Sequence, residues 1–534
     1  MGPQWFSSTT KTPPATQFLL LELKPGGPYA LMLPLVCGAS HASLRSAREE
    51  GDLTLRVESA APGAPPGSEI QWPSILLLAA SWDPFELVDR GVTAAAAVLS
   101  GGARPRMEKQ LPETLDLFGW CTWDAFYREV SALGISQGLT SFAEGGVSPR
   151  YLILDDGWQI TDVDPCYRAS GKKELGCAKR LVILALDKDF TGRLTSVKAN
   201  AKFSSSQAGP EQGVSSEGGD LRKVVASLKQ RFGLQFVYCW HSVSGYWAGV
   251  MPDEARMDNV KSSIVFAKPS SSILEVSPET AWEAPALYGI GVPDDPALLY
   301  HNMHTYLASC GIDGVKVDCQ STLGLLPSCT ADPRSQSERH HAALEASVAT
   351  HFPGNHMINC MCHSTEDLYR MKDTAVARAS EDFWPNDESS SRPHIAQNAY
   401  NSLFMAPLVL PDWDMFQSTD VSARLHAMAR AVSGGPVYVS DKPGCHDVQL
   451  LRQLVLPDGS IYRAAGVGRP TLDCLFVDVL RDGVSLLKVW NVNAVTLVVG
   501  VFNLQGDCQG AAAVKQQDPA GDTLPPSHHN SVPA

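Results

Sequence analysis

Gly314-Val-Lys-Val-Asp-Cys319 decides how this chain folds. It is a short run with β-branched residues, it follows a stretch of helical period at 295–309, and it ends in charged residues. A helix running into a short strand is the signature of a βα repeat. The pattern recurs on both sides. Upstream lie Phe118-Gly-Trp-Cys-Thr-Trp123, Tyr151-Leu-Ile-Leu-Asp-Asp156 and Phe236-Val-Tyr-Cys-Trp-His241. Downstream lie His356-Met-Ile-Asn-Cys-Met361, Ala375-Val-Ala-Arg-Ala-Ser380, a weaker Leu408-Val-Leu-Pro-Asp-Trp-Asp414, and Pro436-Val-Tyr-Val-Ser-Asp441. Helical periods occupy 220–232, 295–309, 337–352 and 421–433. Eight strands in that order predict an α/β protein, a (β/α)₈ barrel over 110–445.

Outside those limits the rhythm changes. Residues 18–100 read as short β runs between Gly/Pro/Ala-rich turns, which predicts an all-β N-terminal domain over 1–109, with a linker near 101–109. After Pro443 the helical period disappears, and Ser485-Leu-Leu-Lys-Val-Trp490 and Leu497-Val-Val-Gly-Val-Phe502 predict a C-terminal β segment over 446–508. Residues 204–219, rich in Ser and Gly, read as an exposed loop, and the polar, Pro-containing 509–534 as a disordered tail.

Composition narrows the function classes. A chain of 534 residues with 44% hydrophobic and 19% charged residues is globular and core-forming, and too long for one ordinary domain. Its 43 basic and 57 acidic residues leave a net charge of −14, which disfavours nucleic acid and anionic membrane surfaces as partners and leaves neutral ligands unaffected. No stretch reaches the ~18 to 20 apolar residues of a membrane span. The start has no basic segment followed by an apolar one, so a cytoplasmic address is expected, with a plastid as the alternative because the first seventeen residues are Ser/Thr-rich and free of acid. The thirteen cysteines read as buried free thiols. Cys360 and Cys362 lack the second cluster of a zinc site, and His340 and His341, without an HExxH pattern, read as surface residues. No metal and no cofactor is expected.

The chemistry lies in what ends each run, because a barrel of this kind builds its site at the C-terminal ends of its strands. The second run ends in Asp155 and Asp156, the fourth carries Lys316 and Asp318, and the sixth leads from Arg378 to Asp382. The first and third carry Trp120, Trp123 and Trp240. Carboxylates that accept bonds from hydroxyls, a cation, and indoles that cover the apolar face of a pyranose together describe a sugar site. Glycoside cleavage uses two carboxyl groups. In a retaining enzyme one attacks the anomeric carbon, and the other protonates the leaving oxygen and then deprotonates the acceptor. Asp318 and Asp382 come from alternate units, so both can face one mouth.

Seven stretches carry a further likeness. FGWCTWDAFY (118–127), LILDDGWQ (152–159), YCWHSVSGYWAGV (238–250), GIDGVKVDCQ (311–320), RASEDFWP (378–385), PDWDMF (411–416) and SGGPVYVSDKPG (433–444) resemble glycoside hydrolase family 36, in order, over roughly residues 16–507. The plant and algal branch of that family holds raffinose synthases, stachyose synthases, alkaline α-galactosidases and seed imbibition proteins. The resemblance implies a retaining α-galactosyl enzyme acting on galactinol or raffinose-type oligosaccharides, with sucrose or water as acceptor. It implies Asp318 as nucleophile and Asp382 as general acid/base. It further implies Asp155 and Asp156 at O4 and O6 of galactose, Lys316 near O3 and O4, Arg378 near O2, Trp240 stacked on the ring, and Cys360 lining the pocket. Asp412 and Asp414 read as supporting groups. The sequence departs from the family in Ser380-Glu381-Asp382, where Glu381 stands beside the acid/base as a rival, and both flanking β domains are expected to be incomplete. Two other readings stay open: a barrel aldolase forming a Schiff base on Lys316, and a galactoside-binding relative without catalysis.

Overall fold

The computed structural model describes residues 2–5, 12–38, 40–46, 52–59, 74–99, 102–164, 191–204, 220–257, 259–267, 269–276, 289–327 and 335–506. The Ser/Gly-rich segment from 205 to 219 and the tail from 507 lie outside them. The N-terminal part builds two small antiparallel sheets. β1 (Leu19–Glu22), β2 (Tyr29–Pro34) and β6 (Leu76–Ser81) pair in the order β1-β2-β6, while β3 (Val36–Cys37), β4 (Ser40–Ser46) and β5 (Leu53–Ser59) form the other.

This region is not all β, as its turns suggest, because helix α1 covers Pro84–Ala97. The reason is local. Asp83 caps the helix by accepting from the Phe85 and Glu86 N–H groups, Pro84 presets the first turn, and four successive alanines favour the helix. Helix α1 lies on the β2–β6 sheet so closely that a Cβ on Gly91 would sit 2.4 Å from Leu31. The expected linker is also tied down: Ala103 N–H donates to Tyr369 O at 2.8 Å, and Lys109 Nζ to Thr374 O at 3.0 Å.

Eight parallel strands follow, seven of them within the runs quoted above and the third running one residue past its own, to Ser242. They are β7 (Phe118–Cys121), β8 (Tyr151–Leu154), β11 (Phe236–Ser242), β14 (Gly314–Asp318), β15 (Met357–Asn359), β16 (Val376–Arg378), β17 (Leu410–Asp412) and β18 (Val437–Val439). Their order is β17-β16-β15-β14-β11-β8-β7-β18, which follows the chain except that the last strand joins the first. A bridge between Phe416 and Val439, with Ser440 N–H donating to Phe416 O at 2.9 Å, draws the two ends of the sheet together.

Helices α2 (Ala132–Gly145), α3 (Leu221–Phe232), α4 (Pro296–Ser309), α5 (Gln336–His351), α6 (Glu388–Met405) and α7 (Ala423–Ser433) connect the strands. Helices α2 and α6 escaped the periodicity reading because glycines interrupt the first and a Ser-rich start with Pro393 disguises the second. Two antiparallel pairs interrupt the repeat, β9 (Gln159–Asp162) with β10 (Arg193–Ala199) and β12 (Ser262–Val265) with β13 (Ile290–Pro293). The chain ends in a sheet of β19 (Arg469–Pro470), β20 (Leu487–Val492) and β21 (Leu497–Phe502), packed on α6 and α7 through Leu487, Val489, Phe502, Ala399 and Val432.

The lumen below the site is filled by rings. Tyr151, Tyr238 and Tyr438 are fully buried there, with Tyr238 Oη 2.8 Å from His356 Nδ1. Gly119 and Gly314 make the room: a Cβ on the first would lie 2.2 Å from the Tyr151 ring, and on the second 2.7 Å from that of Tyr238. Side chains alternate along a strand, so the positions two residues beyond these rings point into the same lumen, one layer nearer the mouth.

His340 and His341 are buried, contrary to the surface expectation. His340 Nδ1 bonds Gln336 O at 2.9 Å, and His341 Nε2 lies 3.2 Å from Asp367 Oδ1. Burial pushes the His340 pKa down to about 4, so it folds as the neutral form. An unfolded histidine titrates near 6.5, so between those values the unfolded chain binds more protons and stability falls with falling pH. His340→Gln is therefore expected to lose ~2 kcal/mol less stability than the parent chain between pH 7.5 and pH 5, read from urea unfolding at the two pH values. Equal losses in both proteins would contradict this.

Candidate active site

The layer above the tyrosines is polar. Lys316 from β14 and Asp155 from the end of β8 meet across the lumen, Nζ to Oδ2, at 2.7 Å, and both are buried. Cys121 of β7 donates its thiol to the same Asp155 oxygen at 3.3 Å. Burial opposes the charge on Lys316, but Asp155 first, and then Cys121, Cys360 and Asp318, together outweigh it and hold the ammonium well above its usual pKa. A Schiff base requires a neutral amine, so this pairing works against the aldolase reading.

Asp318, two residues beyond Lys316 on the same face of β14, has both oxygens held. Trp240 Nε1 donates to Oδ2 at 2.9 Å and Cys319 N–H to Oδ1 at 2.7 Å. Burial raises its pKa above the ordinary carboxylate value, with Lys316 and the Trp240 bond acting in the other direction. The Trp240 ring is 1% exposed and lies against Tyr246 and Trp247, with centroids 5.9 and 5.7 Å away. Its observed contact is thus the grip on Asp318.

Asp156 completes this side. Its Oδ2 accepts from Trp247 Nε1 at 2.8 Å and Tyr246 Oη at 3.2 Å, and burial raises its pKa to about 6. Its Oδ1 is buried with no hydrogen-bond partner among the described residues. Buried carboxylate oxygens are normally satisfied, so this one is an acceptor available to a ligand hydroxyl.

The opposite side comes from β16. Arg378, 2% exposed, extends one arm to Asp414 Oδ1 at 3.1 Å and the other to Asp382 Oδ1. The Asp382 side chain is 44% exposed, so the guanidinium rather than packing fixes it. Arg378 grips Asp382 and not Glu381, whose N–H donates to Gln397 Oε1 at 3.3 Å. Cys360, just past β15, is buried where it feels the charges of Arg378, Asp318 and Lys316, and burial raises its thiol well above the usual pKa. Among the described residues, no three His, Cys, Asp or Glu side chains are placed to share a metal ion, and no helix is long and apolar enough to cross a membrane.

Residues 3–521 match the family described as raffinose synthase or seed imbibition protein Sip1. The chain belongs to that family. Among its relatives, probable galactinol–sucrose galactosyltransferase 1 of Arabidopsis thaliana is 40% identical over 518 residues, covering 95% of this chain and 66% of the relative. Galactinol–sucrose galactosyltransferase of Oryza sativa subsp. japonica is 36% identical, covering 96% and 65%. Stachyose synthase of Pisum sativum is 31% identical, covering 92% and 65%. The chain spans just under two thirds of the length of these relatives. Among solved structures, the GH36 α-galactosidase AgaA of Geobacillus stearothermophilus is 12% identical with a TM-score of 0.47, over 90% of this chain and 58% of that one.

In this raffinose synthase family member, Asp155, Asp156, Trp240, Lys316, Asp318, Cys360, Arg378 and Asp382 all stand at the ends of barrel strands or just past them. Trp120 does not join them. Its ring is fully buried in the helix layer, 6.0 Å from Phe126 and 5.6 Å from Phe142, with Nε1 donating to Asp441 O at 3.0 Å. On β7 the lumen-facing positions belong to Gly119 and Cys121, so the residue between them faces outward. That phase was available in Phe118-Gly-Trp-Cys, where the lumen holds the glycine and cysteine and the helices take the indole. Cys121, Tyr246 and Trp247, which bond Asp155 and Asp156, lie inside the quoted motifs but carry no strand-end charge that singles them out. Trp120→Ala is expected to destabilise the fold by ~3–5 kcal/mol, as for a large ring removed from a core. Chemical denaturation measures this, and a loss under about 1 kcal/mol would place the ring elsewhere.

Proposed function

We propose that the chain catalyses retaining α-galactosyl transfer, with galactinol or a raffinose-type oligosaccharide as donor and sucrose or water as acceptor. The observation that carries this reading is Asp318, buried in the mouth and fixed through both oxygens beside the Lys316–Asp155 pair. A carboxylate so fixed is aimed rather than solvated, which suits in-line attack on an anomeric carbon. In the first step Asp318 attacks that carbon while Asp382 gives its proton to the departing glycosidic oxygen, leaving a galactosyl ester on Asp318. In the second, Asp382 takes a proton from the acceptor hydroxyl, whose oxygen displaces Asp318 from the same carbon. Two inversions give net retention. The relatives named as galactinol–sucrose galactosyltransferases and stachyose synthase support this donor and acceptor class. We place the protein in the cytoplasm, with a plastid as the alternative; the free thiols, seven of them buried, support a reducing compartment.

Asp318→Ala is expected to lose ~10³-fold or more in turnover, and azide or formate to restore part of it by replacing the missing nucleophile. The assay supplies galactinol with sucrose, and raffinose alone, so that the parent enzyme's products separate transfer from hydrolysis. An Asp318→Ala protein that keeps a tenth of its activity on both substrate sets would rule out this nucleophile.

Asp156 adds a pH dependence. With a pKa of about 6 it is an anion above that pH and accepts a galactose hydroxyl at Oδ1, and below it the proton removes that acceptor. The KM for a nitrophenyl α-galactoside is expected to rise as pH falls through about 6 in the parent enzyme. Asp156→Asn should show a raised KM throughout and lose that inflection. A matched α-glucoside, whose O4 is epimeric, should react far more slowly, because a site built to bond a hydroxyl is left unpaired by the wrong epimer. Equal rates on the two sugars would remove the Asp155 and Asp156 assignments.

A further inference from the structure

The residue that fixes the acid/base lies on another strand unit. β17 ends at Asp412, and two residues later Asp414 adopts a left-handed backbone, φ +70°. Among non-glycine residues aspartate enters that region more readily than most, when local hydrogen bonds hold it there. Here they do. Asp414 N–H donates to Asp412 Oδ1 at 2.9 Å, and Asp414 O accepts from Arg430 Nε at 3.0 Å. Between the two aspartates, Trp413 is fully buried on the outer side, with Nε1 donating to Ser402 Oγ at 3.0 Å. The turn thus drives the Asp414 carboxylate, 0% exposed, back toward the segment after β16.

That carboxylate makes two bonds of different kinds. Oδ1 accepts from Arg378 Nη1 at 3.1 Å, and Oδ2 from the backbone N–H of Phe383 at 2.8 Å. The first sets the plane of the guanidinium whose other arm holds Asp382, while Arg378 Nε on Ser380 O at 3.1 Å closes the fork. The second pins the residue directly after Asp382. Asp382 is therefore located from both sides by one buried carboxylate, through its ion-pair partner and through its own backbone. Asp414 also carries charge balance. Burial opposes the Arg378 charge, and Asp414 is the largest influence maintaining it. Without Asp414 the guanidinium loses the bond that sets its plane, and Asp382 loses the fixed direction of its own bond to that guanidinium.

We propose that Asp414 is a positioning residue for proton transfer, acting through Arg378 and Phe383 N–H to hold Asp382 where the leaving oxygen must be protonated. The proposal rests on Asp382 as the acid/base. A defect in proton donation harms substrates in proportion to how badly their leaving group needs the proton. Asp414→Asn keeps the size of the side chain and removes its charge. It is expected to lower kcat roughly 10- to 100-fold on raffinose while leaving the first step on a nitrophenyl α-galactoside within about threefold of the parent, with KM little changed. In an Asp382→Ala background the same change should add little, because the two act as a unit. Asp414→Ser, which retains an acceptor for the Phe383 N–H, serves the same comparison if the asparagine variant does not fold. Equal losses on both substrates, no loss on either, or full additivity with Asp382→Ala would overturn the positioning role while leaving Asp382 in place. If Asp382→Ala itself shows no leaving-group dependence, the acid/base assignment falls and takes this inference with it.

Discussion

Lys316 Nζ and Asp155 Oδ2 lie 2.7 Å apart, and neither side chain is more than 4% exposed. Taking two charges out of water costs several kcal/mol per ion, and removing one partner of such a pair leaves the other stranded. The strands that carry them, β14 and β8, are not neighbours, because β11 lies between them in the sheet. The pair therefore spans the lumen over the Tyr238 ring and can form only if all three strands keep register and the sheet curls. The small residues underneath follow from the same demand. Gly119 and Gly314 let Tyr151 and Tyr238 fill the floor, so that the charged layer sits on packed rings instead of on a cavity.

The barrel was legible because each strand is short, apolar and followed by chemistry, and every strand lies within its run or extends at most one residue past it. What it lacked was phase. Trp120 and Trp240 sit in similar runs, yet one faces the helices and the other holds Asp318; the glycine before Trp120 distinguishes them only once the lumen is known to need room for Tyr151. Helix α1 was hidden for another reason. Its alanines and valines also fit a strand, and the deciding signal was Asp83-Pro84 at its start. His340 and His341 looked polar enough for a surface, but α5 turns that face inward, where Gln336 O and Asp367 provide partners. Propensity reads the segment, whereas these outcomes were set by what packs against it.

The two carboxylates at the centre of the proposed chemistry are held by different means. Asp318 is on a strand, in phase with Lys316, and its donors come from Trp240 and from its own next residue. Asp382 lies four residues past β16, has a side chain 44% exposed, and depends on Arg378 for its place. Rigid placement suits a nucleophile, which has one trajectory to the anomeric carbon. An acid that must later act as a base meets two different oxygens, one leaving and one arriving, and a partly open position admits both.

This asymmetry bears on how one site could serve both transfer and hydrolysis. The donor half, made of Asp155, Asp156, Lys316, Trp240 and Asp318, is closed and internally bonded, so it would recognise one sugar and reject its epimer. On the proposed mechanism the acceptor approaches on the side of Asp382, whose side chain, in the segment between β16 and α6, is partly open to solvent. Water reaches such a position unaided, so a transferase requires an acceptor whose own contacts hold it there long enough to outcompete water. Those contacts belong to the rim rather than to the two carboxylates. On the proposed mechanism acceptor choice would therefore be set outside the two carboxylates, whereas a change of donor would require rebuilding the buried Lys316–Asp155 pair.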